Sequence, residues 1–124
     1  MSGPFRDDRP IFLQVREMIE DQILNDQLQE GEQAPSTNQL VNVYKINHLT
    51  VSKGINQLVD EGILYKKRGV GMFVSEGAKT ELIEQRKQSF VDRYVKDMLA
   101  EADKLNMSED ELIRLIQQTK REES

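Results

Sequence analysis

Within seven residues this chain sets Asn47, His48, Thr50, Ser52 and Lys53. Polar side chains grouped in this way can read the edges of bases. Asparagine pairs bidentately with adenine, threonine can lay a methyl against thymine, and lysine reaches guanine or a phosphate. Further along, Lys66, Lys67 and Arg68 run into Gly69-Val70-Gly71. Glycines there allow close backbone approach, and an arginine at such a tip would fit a narrow minor groove. Ser36 and Thr37 make a third group, because hydroxyls beside the free amides of a helix start favour a phosphate oxygen. Taken singly, each of these residues is equally an ordinary cap or surface position. For Asn47, His48, Thr50, Ser52 and Lys53, the grouping on one helix face is what gives them weight.

Catalysis finds little support beside this. His48 is the single histidine and there is no cysteine, so neither a disulfide nor a thiolate metal site can form. The carboxylates are scattered over helix faces. Gly69-Val70-Gly71 opens a second strand, whereas a phosphate-binding glycine loop opens a helix. The expectation is a protein that is not an enzyme and needs no cofactor or metal. The start of the chain lacks the apolar core of a signal peptide, and no run approaches the roughly 18 apolar residues of a membrane span. The expected compartment is the cytoplasm, with no membrane partner.

Charge must be read by segment. The net charge of the 124 residues is -5, which alone speaks against a phosphate-rich partner. Yet residues 36–75 hold five basic side chains against two acidic ones, while residues 76–124 hold nine against twelve. The basic excess coincides with the groups named above.

The elements that position these groups follow from periodicity. Pro10 to about Asp26 predicts a first helix, with Phe12, Val15, Ile19 and Ile23 on one stripe. Ser36-Thr-Asn-Gln39 is a capping box opening a short second helix, with Leu40, Val43 and Tyr44 inward. Lys45-Ile46-Asn47 reads as a tight turn, and Asn47 suits the cap of a third helix beginning near His48. Val51, Ile55 and Leu58 seat that helix, while Leu49, Ser52, Lys53, Asn56 and Asp60 face away. After Gly62 the period becomes strand-like, with residues 63–67 and 72–74 flanking a glycine-containing hairpin loop at 68–71. The predicted fold is α+β and mostly helical: a winged helix-turn-helix of three helices plus a β-hairpin wing over residues 1–76, then a two-helix C-terminal dimerisation tail over residues 77–124.

In the tail, Ala78 to about Asn106 carries a wide apolar stripe, and Ser108-Glu-Asp-Glu111 opens a last helix. Two such helices cannot bury Phe90, Tyr94, Met98, Leu112, Leu115 and Ile116 against each other alone. Apolar patches of this kind mark an interface. A two-fold homodimer would place two recognition helices roughly 34 Å apart, one turn of DNA. The alternative is that the tail packs on its own winged domain.

Order and spacing from Pro10 to Val74 resemble the GntR family of bacterial regulators. The matching pattern is Pro10-Ile-Phe-Leu-Gln-Val, Gly31-x-x-x-Pro35-Ser36, Asn47-x-x-Thr50-Val51, Leu58-x-x-x-Gly62 and Arg68-Gly-x-Gly71-x-Phe73-Val74. The short tail is similar to the YtrA-like branch. The resemblance implies a sequence-specific DNA-binding transcription regulator, a repressor acting as a homodimer on an inverted-repeat operator. Its implied DNA contacts are Ser36, Thr37, Asn47, His48, Thr50, Ser52, Lys53, Arg68, Gly69 and Gly71. Asn38 stands where members usually have arginine, and Asn47-His48-Leu49 with Ser52 replaces the usual recognition-helix residues, so the operator sequence does not carry over. The competing class is a winged-helix protein-interaction module without specific DNA binding. A small-molecule effector, should one act, would lodge at the dimer interface or between tail and winged domain, and the sequence does not identify it.

Overall fold

Pro10 sets the start of the first helix from outside it. In the computed structural model, which describes residues 5–124, α1 covers Ile11–Leu24 and Pro10 is its N-cap. The Pro10 carbonyl accepts from the amides of Leu13 and Gln14. The helix stops two residues short of Asp26, which adopts a left-handed φ of 63°. Val15, Ile19 and Ile23 are fully buried as their spacing requires. Ahead of α1, Phe5 is buried with its ring edge-on to Tyr44, 5.3 Å between centroids.

The second helix, α2 (Thr37–Tyr44), and the third, α3 (His48–Asp60), are separated by three residues. Lys45 ends α2 in the left-handed conformation (φ 57°) and Asn47 caps α3. The buried face of α2 comprises Leu40 with the partly buried Val41 and Tyr44, and Val43 is exposed. This corrects the inward placement of Val43. In a two-turn helix it sits roughly 100° from the centre of that face. Val51, Ile55 and Leu58 seat α3 in the core. Gly54 permits the close crossing of α1, because a Cβ there would lie 2.6 Å from the Phe12 carbonyl oxygen.

An ion-pair group ties the same two helices. The Arg16 guanidinium bonds both carboxylate oxygens of Glu61, just past α3, and Nε donates to buried Glu20 at 2.9 Å. The Glu61 bonds are the chief reason its pKa stands above the ordinary arginine value, against the opposing effect of desolvation. A raised folded-state pKa contributes stability that is fully present below the ordinary arginine value. The Arg16 contribution is therefore constant through neutral pH.

The wing pairs β1 (Leu64–Lys67) antiparallel to β2 (Gly71–Val74), with Leu64 opposite Val74 and Lys67 opposite Gly71. Residues 31–34 add a third rung that the sequence does not announce. Gly31 N donates to Val74 O, Val74 N to Glu32 O, and Ala34 N to Met72 O, each at 2.8–2.9 Å.

The helix after the wing, α4 (Ala78–Phe90), starts inside the winged unit, since Ala78 and Leu82 are buried in the same core as Ile55 and Ile63. The compact units divide after Glu84. In the second, Gln85–Ser124, the helical path continues through a wider π-helical turn, Val91–Val95, into α5 (Lys96–Lys104). Asn106 turns the chain with φ 56°, and Ser108 caps α6 (Glu109–Glu123) by accepting from Glu111 N at 3.1 Å. Among the described residues no helix is long and apolar enough to cross a membrane.

Candidate nucleic-acid interface

The first turn of α3 stands clear of the core because its buried residues begin at Val51. His48 and Lys53 are exposed, while Thr50 and Ser52 are half-buried. Asn47 is exposed too, but its Oδ1 accepts from Leu49 N at 2.8 Å. Capping thus uses one of the two lone pairs of the oxygen that a bidentate adenine pair would need. Lys53 lies back along the helix, with Nζ 4.0 Å from the centre of the Phe12 ring. Such a cation–π contact is worth about 0.5–1 kcal/mol at an exposed site, weak enough for a phosphate to displace.

Ser36 and Thr37 are half-buried at the start of α2. Both halves of the capping box form: Ser36 Oγ accepts from Gln39 N at 3.0 Å, and Gln39 Oε1 accepts from Ser36 N at 2.8 Å. The Ser36 hydroxyl proton remains available to an anion. Capping and phosphate binding are therefore compatible here.

At the wing tip Arg68 and Gly69 are exposed, and Val70 N closes the turn on Lys67 O at 2.9 Å. Gly69 supplies the positive φ of 77° that the third position of this turn adopts. Lys67 folds over Phe73, 4.5 Å from the ring centre, whereas Arg68 forms no ion pair with the described residues. Gln33, absent from the sequence-derived set, braces this tip from beneath. Its Nε2 donates to Val70 O at 3.0 Å, and a Cβ on Gly71 would come within 2.5 Å of that nitrogen. Gly71 is thus needed for the brace as well as for its φ of 144°. Through Gln33 the wing tip is one side chain away from the segment that leads into Ser36. A segment as short as 31–34 shows no periodicity, and no sequence signal would have found it.

In the second unit, Phe90, Tyr94, Met98, Leu115 and Ile116 are exposed, and the Phe90 and Tyr94 rings lie 5.6 Å apart. Leu112 differs from this group. At 8% exposure it is buried within the single chain and offers nothing to a partner surface. Val91, Leu99, Leu105 and Ile113 are further exposed apolar residues of the same unit.

Comparison with known proteins bears on both units. A family model described as bacterial regulatory proteins, gntR family, matches residues 12–74. The HTH-type transcriptional repressor YtrA of Bacillus subtilis (strain 168) is 32% identical over 97 residues, covering 78% of this chain and 74% of that protein. A crystal structure of a GntR-family regulator from Bacteroides thetaiotaomicron superposes with a TM-score of 0.74 at 29% identity, covering 92% of this chain and 99% of the other. The structure of AraR(DBD) in complex with operator ORE1 matches 60% of this chain and 94% of its own, with a TM-score of 0.53 and 30% identity.

Proposed function

Because the chain belongs to the GntR family of bacterial regulatory proteins, we propose that it represses transcription as a homodimer bound to an inverted-repeat operator. It is a winged helix-turn-helix regulator of the DNA-binding kind and not an enzyme. The observation that carries the proposal is α3, whose first two turns hold their polar side chains off the core beside a wing tipped by Arg68. In this reading His48, Thr50 and Ser52 face base edges in a major groove, while Asn47 caps the helix and Lys53 swings to a phosphate. Ser36 and Thr37 meet the backbone, and Arg68, Gly69 and Gly71 enter the adjacent minor groove.

Residues 1–76 supply DNA binding and residues 77–124 dimerisation, with the first turn of α4 serving as part of the winged core. The apolar surface of Phe90, Tyr94, Met98, Leu115 and Ile116 is what a second copy would cover. Support comes from YtrA, a relative named as a repressor, and from the AraR(DBD) complex with its operator. The proposed setting is the cytoplasm, where the DNA lies.

The test is binding to a duplex from the region upstream of its own coding sequence, against a scrambled duplex, across a range of salt. Specific binding is expected, with log affinity falling against log salt at about -0.9 per phosphate neutralised. Arg68→Ala should weaken it about tenfold. Equal affinity for both duplexes would contradict a specific operator there. No complex even at low salt would favour the protein-interaction module instead.

A further inference from the structure

We propose that Leu49 is a specificity-determining residue, selecting a thymine in each operator half-site through its C5 methyl group. The proposal rests on the reading of α3 as a DNA-recognition helix. Leu49 is 77% exposed, more than any other large apolar side chain among the described residues. It is also fixed in place, as the second residue of α3 with its amide held by the Asn47 cap. At 100° per residue it shares the outward stripe with Ser52, Lys53 and Asn56, opposite the buried Val51, Ile55 and Leu58.

The neighbours of Leu49 narrow its role. Asn47 Oδ1 is engaged by the cap, and the Lys53 ammonium rests on Phe12. An aliphatic side chain therefore stands foremost on a face otherwise suited to hydrogen bonding. Leucine can neither donate to nor accept from a base, and the major groove displays one apolar group, the thymine methyl. Contact between the two removes both from water. Cytosine at that position would lack the methyl and turn its N4 amine toward leucine, leaving a donor without an acceptor.

The experiment begins with duplexes enriched by the full-length protein from a random-sequence pool. Each thymine of the enriched site is then replaced in turn by deoxyuridine, which removes only the C5 methyl. For the wild type, one such replacement per half-site should weaken binding about fourfold, the effect of one buried methyl-sized group. Leu49→Ala should bind the unmodified site less tightly and be indifferent to that same replacement. Because Leu49 is so exposed, this variant should keep the wild-type melting temperature. If Leu49→Ala retains the wild-type sensitivity at every thymine, or the wild type shows none, Leu49 is not the reader. If no duplex is enriched at all, the DNA-binding reading itself falls, a result distinguishable from either of these.

Discussion

Up to Glu84 the chain closes a core around Ile19, Ile55, Leu58, Ile63 and Leu82, every one of them 1% exposed or less. From Gln85 onward Ala102 and Leu112 are the buried residues, while Phe90, Tyr94, Leu99 and Leu115 are exposed. Both regions are helical and carry apolar stripes, so the contrast is one of partners. In the first unit three helices, a hairpin and the start of α4 face one another. In the second, the helices retain apolar surface that nothing in the same unit covers. In the proposed dimer a second copy covers that surface, whereas the winged unit buries its apolar residues within itself.

The contrast can be broken by substitution. Ile55→Ala removes packing from the centre of the winged core and should cost about 2–5 kcal/mol. Denaturant titration should find that loss independent of protein concentration. A concentration-dependent loss would mean that the core is completed by a partner. Tyr94→Asp should act on association instead, placing a charge on the surface that the proposed second copy would cover. Sedimentation should find a monomer, and operator affinity should drop roughly 10²-fold or more as bivalence is lost. The unfolding of the winged unit should be unchanged. A Tyr94→Asp protein that stays dimeric would move the interface elsewhere. Gln33→Ala sharpens the comparison within the winged unit. Loss of one exposed hydrogen bond, worth about 0.5–1.5 kcal/mol, should weaken DNA binding a few-fold and leave dimerisation intact. In an Arg68→Ala background the same change should have no effect on affinity, since the brace acts through the wing tip.

Local chemistry made much of this fold legible from residue types alone. The Ser36–Gln39 box and the Ser108 cap depend on residues three apart, and both caps form where the spacing places them. The seating of α3 by Val51, Ile55 and Leu58 follows from a strong 3.6-residue repeat. Features set by tertiary approach were not legible. Gln33 meets Val70 across 37 positions, and the rung at residues 31–34 is too short to show a pattern. Lys53 rests on a ring from another helix. Leu112 shares the apolar periodicity of its neighbours, and only the fold of the second unit separates it from Leu115 and Ile116. The wider turn at Val91–Val95 carries no glycine or proline to announce it.

The most direct test of the account is the mass of the protein–DNA complex in sedimentation, using a duplex that carries one complete operator. Two chains of 14.4 kDa per duplex, with free protein already dimeric at micromolar concentration, is the predicted result. One chain per duplex, with free protein sedimenting as a monomer, would contradict it and leave the exposed face of the second unit to some other partner.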